Sequence, residues 1–210
     1  MSLKPTASSK TFEPVPAGSH AAYIFSLVDL GTQESNGMYG LKQEPKIRIG
    51  FETPGKTIII EGEKTPMTIY KEYTNSLGQK AALRKHLEGW SGKPMTEDQI
   101  KNFDPSKLLG KKCLITVVHA TSKTGNVYAK IDGMSALPDG MAPMPPMHHA
   151  KLTYDISQGE DATFQKFPDF LKEQIAGCLE WTRTTATGDT VEPSSQTTPP
   201  AEPLDDNIPF

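Results

Sequence analysis

The sequence predicts a mainly β protein with some α-helix, in which a five-stranded barrel carries one helix between its third and fourth strands. Short segments in which apolar and polar residues alternate predict the strands. Helical spacing of apolar residues separates the third of these segments from the fourth. The net charge is +7 over residues 41–130, −5 over residues 131–180 and −4 over residues 181–210. A basic middle followed by acidic segments indicates a polyanionic partner.

The predicted strands are short runs rich in apolar and β-branched residues. The clearest is KIRIGFE, where Ile47, Ile49 and Phe51 face one way and Lys46, Arg48 and Glu52 the other. The strands are predicted at His20–Gly31, Lys46–Glu52, Met67–Tyr73, Cys113–Ala120 and Asn126–Met134, with a short extension at Ile58–Ile60 and a hairpin turn at Lys123–Gly125.

Three helices are predicted from capping signals and from the spacing of apolar residues. Residues 76–79 fit a capping box that starts a helix over about 77–88. Residues 96–99 fit a second capping box, for a short helix that ends near Phe103. Apolar residues at helical spacing predict the third helix within Phe164–Trp181.

The predicted elements divide the chain into four parts. The order of three strands, a helix and two strands is that of the five-stranded OB barrel. Other small α+β barrels share this periodicity, and the basic and aromatic content favours the OB barrel. The parts are an extended lead-in at 1–19, the OB domain at 20–134, a Met/Pro-rich loop and C-terminal helix packing on the barrel at 135–181, and a disordered acidic tail at 182–210.

Cationic and aromatic side chains on these strands form a candidate surface for single-stranded nucleic acid. Such surfaces combine cations along the phosphate backbone with aromatic faces that stack on bases. Tyr128 and Lys130 are expected to share the exposed face of the fifth strand, opposite Ile131. The alternative is that the lysines only keep strand edges soluble. The full predicted set is Lys46, Arg48, Lys71, Tyr73, Lys111, Lys112, Lys123, Tyr128 and Lys130.

Three other aromatic residues lie on or beside the predicted barrel. Trp90 follows a predicted helix beside a glycine-rich turn, where a tryptophan more often covers the end of a barrel than stacks on a base. Phe51 falls on the apolar face of its strand and is expected in the core. Phe25 is ambiguous, because the first strand is apolar on both faces.

The sequence contains no motif that indicates an enzyme. It lacks the P-loop, nucleophile-elbow and zincin signatures, and its carboxylates form no evident two-metal cluster. His148 and His149 lie in the Met/Pro-rich loop, where solvated side chains are expected rather than a copper site. Cys113 and Cys178 are expected to be reduced and buried. We therefore predict no catalytic residue, no metal and no cofactor.

The sequence also lacks signals for a membrane or for secretion. No run approaches the roughly 18 apolar residues that cross a bilayer. The opening residues, MSLKPTASSK, lack the apolar centre of a signal peptide. We therefore expect a cytoplasmic protein without a membrane partner.

The chain ends in EPLDDNIPF, after a segment too polar to fold by itself. Its apolar residues have nothing local to pack against, and capture of a carboxy-terminal peptide in a pocket is a recurring recognition mode. The terminal DDNIPF resembles the acidic tip of bacterial single-stranded DNA-binding proteins, with Asn207 in place of one acid. The resemblance implies docking onto replication, recombination and repair enzymes through Asp205, Asp206, Ile208, Pro209 and Phe210.

The rest of the chain resembles a second group, the bacteriophage-encoded single-stranded DNA-binding proteins. The similar blocks are PVPAGSHAAYIFSLVDLGTQ, KIRIGFE, KEYTNSLGQKAALRKHLEGW and LLGKKCLITVVH, within roughly residues 12–181. This resemblance implies an OB fold that binds single-stranded DNA without sequence preference during phage DNA replication and recombination. A strand-annealing recombination factor, a metal-dependent nuclease and a protein-binding scaffold remain alternatives, and the chain could form a homo-oligomer.

Overall fold

The protein is mainly β with a few short helices, in a computed structural model that describes residues 13–37 and 40–181. None of the described helices is long and apolar enough to cross a membrane. The strands are β1 (Gly18–Gly37), β2 (Gly40–Ile60), β3 (Glu63–Thr74), β4 (Lys112–Thr121), β5 (Val127–Ser135) and β6 (Leu152–Tyr154). The helices are α1 (Ala82–Ser91), α2 (Glu97–Lys101) and α3 (Asp169–Ala176), with single 3-10 turns at Pro105–Leu108, Ile156–Gln158 and Phe164–Lys166.

The first five strands form one curled antiparallel sheet in the order β3-β2-β1-β4-β5, and β6 pairs with β1 in parallel. The curl brings the two outermost strands of this order together. The ammonium of Lys71 on β3 donates to the carbonyl of Ile131 on β5 at 2.5 Å. The sheet is therefore a half-barrel, which is compatible with an OB-like fold.

The larger apolar core lies on the concave side of the half-barrel. Ile47, Ile49 and Phe51 of β2 point inward and are buried, which confirms the predicted alternation and the core position of Phe51. Leu83 and Leu87 of α1 pack into the same core. The helix between β3 and β4 is therefore part of the barrel's interior packing.

A second apolar core lies on the outer side of β1. The register shift between Ile24 and Ser26 changes the phase of the strand, so Ile24 and Leu27 face the inner core while Val28 and Leu30 face outward. Each face of β1 therefore packs into an apolar core, which explains why the strand has apolar residues on both faces. The outward residues pack against Tyr154, Phe164, Phe167, Leu171 and Ile175.

The C-terminal segment packs closely against β1 at Gly31. Its φ is +63°, and a Cβ at this position would lie 2.5 Å from the sulfur of Cys178. The amide of Leu179 also donates to the carbonyl of Thr32 at 3.1 Å. Only glycine meets both the positive φ and the close contact.

The five predicted strands are found in the predicted order, but β1 continues beyond Gly31 to Gly37 and β2 begins at Gly40 rather than Lys46. The helix predictions are confirmed in part. The Thr96–Gln99 capping box forms at the start of α2. The box predicted at Ser76 does not form, because the Ser76 hydroxyl accepts from the amide of Gly78 and α1 begins only at Ala82. The predicted Phe164–Trp181 helix is a 3-10 turn followed by the shorter α3. Residues 1–12 and the predicted tail at 182–210 lie outside the described residues.

Candidate nucleic-acid interface

The β4–β5 hairpin exposes an aromatic ring and two cations. The side chain of Tyr128 is 48% exposed, whereas Ile131 is 1% exposed. Lys130 shares the exposed face of β5 with Tyr128, and Lys123 is exposed in the turn that joins the two strands. The structure therefore places these three residues on one accessible hairpin, with Tyr128 and Lys130 in the predicted register.

Tyr73, the other predicted stacking residue, belongs to the core. It is 3% exposed, and its hydroxyl lies 2.8 Å from Nδ1 of His86. Nε2 of His86 lies 3.1 Å from the Asp132 carbonyl. Because a carbonyl only accepts, Nε2 carries the proton and Nδ1 accepts from the tyrosine. Tyr73 is thus held away from solvent, and its assignment to the binding surface is corrected.

Lys71 bridges β3 and β5 instead of extending freely into solvent. Its Nζ contacts the Ile131 carbonyl at 2.5 Å and lies 5.5 Å from the centroid of the Tyr73 ring. Burial lowers the pKa of Lys71, and the nearby charge of Lys130 lowers that pKa further. Two cations therefore lie close together where β3 meets β5, although one of them already has a protein partner.

Arg48 lies on the outer face of β2 between two aromatic rings. Its guanidinium carbon is 4.6 Å from the ring centroid of Tyr70 and 5.3 Å from that of Phe170. One guanidinium nitrogen pairs with the Glu72 carboxylate at 3.2 Å. Lys46 lies two residues earlier on the same face and is half-buried. Arg48 is therefore built into the outer face, and a phosphate there would share it with Glu72.

Lys111 and Lys112 are exposed at the far end of the β4–β5 hairpin from Tyr128. Lys112 begins β4, whereas Tyr128 pairs with Ala120 near the end of that strand. At the usual rise of a strand, this separation is about 26 Å. Trp90 lies beside Lys112 and donates its indole N–H to the Lys112 carbonyl at 3.0 Å. These two lysines are therefore not grouped with Tyr128, and Trp90 packs at the barrel's end as expected.

A groove of about 390 Å³ opens between β3 and β5. Within the described chain, β3 pairs only with β2 and β5 pairs only with β4, so both strands present an unpaired edge here. Arg48 and Tyr128, which are distant in the sequence, both line the groove. Its other walls are Glu13–Val15, Ile58, Ile60, Thr65–Tyr70, Val127, Ala129 and His149.

Tyr70 lines this groove and was missed by the sequence prediction. It is 42% exposed, and its ring packs edge-on against Phe25 with 5.8 Å between the ring centroids. A Cβ on Gly50 would lie 2.8 Å from the Tyr70 ring, so the absence of a side chain there makes room for it. The sequence contains a signal for its exposure, because strict alternation along β3 places Tyr70 on the outer face, opposite Ile69 and Tyr73.

The Met/Pro-rich loop is fastened to β2 by a buried carboxylate. Glu52 is 0% exposed, and its oxygens accept from the amides of His148 and His149 at 2.8 Å each and lie 2.7 Å from Nδ1 of His149. Burial raises the pKa of Glu52, but these hydrogen bonds outweigh it and hold that pKa below its ordinary value. The expectation of a solvated side chain is therefore corrected for His149, whereas the side chain of His148 is exposed and only its amide contacts Glu52.

The two cysteines are buried and free. Cys113 is fully buried, and burial raises the pKa of its thiol to about 12. Burial also raises the pKa of Cys178, which packs against Gly31. Within residues 13–37 and 40–181, no three His, Cys, Asp or Glu side chains are grouped so as to hold a metal ion.

The predicted partner-docking residues, Asp205, Asp206, Ile208, Pro209 and Phe210, lie outside the described residues. No family model matches the chain, and no curated protein matches it. Support for a function therefore comes from the surface of the half-barrel and from the sequence.

Proposed function

We propose that the protein binds single-stranded DNA without sequence preference, on the β4–β5 hairpin and the adjoining groove. The observation that carries this proposal is the exposed ring of Tyr128, flanked on the same hairpin by Lys123 and Lys130. A base stacked on Tyr128 would cover the ring while the lysines meet phosphates. Because every base has a π-face, such stacking provides affinity without sequence preference.

The charge near the groove supports an anionic ligand. Lys130 is close enough to Lys71 to lower the pKa of that side chain. Residues 41–130, which contain both lysines and Arg48, carry a net charge of +7. A phosphate near these cations would reduce their mutual repulsion and release the counterions that otherwise accompany the DNA.

We further propose that the half-barrel is an OB barrel like those of bacteriophage-encoded single-stranded DNA-binding proteins. The strand order β3-β2-β1-β4-β5 supports this, as does the position of α1 between β3 and β4 in the chain. The sequence blocks that resemble the phage proteins include most of β1, the middle of β2, the end of β3, most of α1 and most of β4. The corresponding role is to bind and protect single strands during phage DNA replication and recombination, in the cytoplasm of the host.

The direct test is equilibrium binding to labelled oligothymidine over a range of salt concentrations. We expect the logarithm of affinity to fall linearly with the logarithm of salt concentration, with a slope of about −0.7 for each phosphate neutralised. A mixed-sequence oligonucleotide of equal length should bind with similar affinity, and a duplex of that length should bind more weakly. Undetectable binding at low salt, or an affinity independent of salt, would contradict the proposal.

We also propose that Asp205–Phe210 recruits replication, recombination and repair enzymes. The support is the resemblance of DDNIPF to the tip of bacterial single-stranded DNA-binding proteins. Phe210→Ala should abolish capture of such enzymes from a bacterial lysate and leave affinity for oligothymidine unchanged. Asn207→Ala, at the position where the resemblance departs, is the matched control and should retain capture. Equal capture by all three proteins would refute the docking role.

A further inference from the structure

The groove between β3 and β5 has an apolar lining that the described residues leave partly uncovered. Ile60, Val127 and Tyr128 all line it, and they are 44%, 57% and 48% exposed. Ile58 and Ala129 add further apolar surface. Contiguous apolar surface of this kind usually receives another group, because its exposure to water is unfavourable.

The chain itself enters this groove from its N-terminal side. Glu13 and Pro14, the first described residues, both line the groove. The next residue, Val15, is 3% exposed, and its carbonyl lies 2.9 Å from Nε2 of His119. These contacts fix the path of the backbone from Glu13 to Val15 at the groove wall.

We propose that Phe12 docks in this groove in the free protein and that single-stranded DNA must displace it. The displacement of Phe12 by DNA rests on the proposed function. The Cα of Phe12 is about 3.8 Å from that of Glu13, which already lines the groove. Phe12 is also the only aromatic residue in MSLKPTASSKTF. The short tether gives the ring a high effective concentration at the apolar lining.

Docking of Phe12 would affect the proposed DNA interface directly. Arg48 and Tyr128 line the same groove, so a ring lodged there competes for the space in which a base would stack on Tyr128. The apparent affinity for DNA then falls in proportion to the fraction of molecules whose groove is free. Phe12 would act as an intramolecular competitor whose strength depends on one side chain.

Docking of Phe12 in the groove is tested by methyl NMR of isoleucine-labelled full-length protein without DNA. Phe12→Ala should shift the methyl signals of Ile58 and Ile60, which line the groove, because an aromatic ring changes the field at neighbouring methyls. Ile131 and Ile175, buried in the two cores, should not move. Thr11→Ala is the matched control and should leave all four signals in place.

Two results would overturn the docking. One is that Ile58 and Ile60 keep their wild-type shifts in Phe12→Ala. The other is that their shifts change when the wild-type protein is diluted, because a second copy of the chain would then be the occupant. The substitution is preferred to removal of residues 1–12, which would also remove Lys4 and Lys10 and so confuse loss of the ring with loss of charge.

Displacement of Phe12 by DNA is tested by titrating wild type and Phe12→Ala with oligothymidine. Phe12→Ala should bind about three- to tenfold more tightly than wild type, as expected if about two-thirds to nine-tenths of grooves are occupied. Equal or weaker binding by the variant would overturn displacement. If neither protein binds any oligonucleotide, the proposed function and the displacement both fail, while the methyl shifts still decide whether Phe12 docks.

Discussion

β3 and β5 each carry a lysine and a tyrosine two residues apart, and the fold gives the two pairs opposite environments. Tyr73 on β3 is buried against His86 of α1, whereas Tyr128 on β5 is exposed. α1 contacts the second half of β5, where His86 meets the Asp132 carbonyl, and leaves the first half uncovered. An aromatic–cationic pair therefore indicates a binding surface only where no other element packs over it.

The largest expected difference between the two tyrosines is in stability. Tyr73→Ala should lower the free energy of unfolding by about 3–5 kcal/mol, because it leaves a cavity and removes the partner of His86. Tyr128→Ala should change it by less than about 0.5 kcal/mol, because its ring is exposed. Urea unfolding followed by circular dichroism measures both. Similar losses in the two variants would show that Tyr128 is also structural.

Binding should show the reverse order. Tyr128→Ala should weaken binding to oligothymidine by about 1–3 kcal/mol if the ring stacks on a base. Ile59→Ala, a matched control at a strand position that is 66% exposed and does not line the groove, should leave the affinity unchanged. Fluorescence anisotropy at constant salt gives both affinities. Unchanged affinity in Tyr128→Ala would remove this ring from the interface.

His86 of α1, the hydrogen-bond partner of buried Tyr73, should also make stability depend on pH. Burial holds the pKa of His86 below its ordinary value, and the charge of Lys71 lowers that pKa further. The unfolded chain takes up the proton at about pH 6.5, whereas the folded chain takes it up only at lower pH. This contribution is complete above about pH 6.5, and the free energy of unfolding should fall as the pH decreases below that value.

Urea unfolding at about pH 7.5 and about pH 5.5 measures this effect. In His86→Asn, which keeps an acceptor near the Tyr73 hydroxyl but has no titrating ring, the part of the decrease due to His86 should vanish. The comparison is made within each variant, so a general loss of stability in His86→Asn does not affect it. An equal decrease in the variant and in wild type would assign the pH dependence to other groups.

The smallest expected difference is between the salt slopes of variants at Lys71 and Lys130. Lys130→Ala should reduce the magnitude of the salt slope of oligothymidine binding by about 0.7, the value for one phosphate contact on a single strand. Lys71→Ala should reduce it less, because its ammonium is held by the Ile131 carbonyl. Lys85→Ala, on the exposed side of α1, should leave the slope unchanged. An equal reduction for Lys71 and Lys130 would mean that Lys71 leaves its carbonyl when DNA binds.

The phase of side chains within a strand explains which site residues could be predicted. In β5, Tyr128 and Lys130 are out of phase with buried Ile131, and the prediction of an exposed pair follows from that alternation. In β3, Tyr73 is in phase with buried Ile69, and Tyr70 is on the opposite face. The nearby lysine favoured Tyr73 as an exposed ring, although the period of the strand places Tyr70 and not Tyr73 on the outer face.

The sequence by itself determined the order of the five main strands, the central part of each, the cap of α2 and the exposed pair on β5, but not the long extension of the β1–β2 hairpin beyond Gly31. These features depend on residues within a few positions of one another, and local periodicity and capping chemistry are therefore sufficient to predict them. The same limit explains the omission of β6, whose three residues form a strand only by pairing with β1.

Only the tertiary structure decided the burial of Tyr73, the fastening of the Met/Pro-rich loop by Glu52 and the meeting of Arg48 with Tyr128 at one groove. Each joins segments that are distant in the chain, and the environment of a side chain depends on which distant segment covers it. Glu52 shows the reason most clearly. Its position on the polar face of β2 was predicted, but its burial follows from the amides of His148 and His149, which replace the water that a carboxylate otherwise needs.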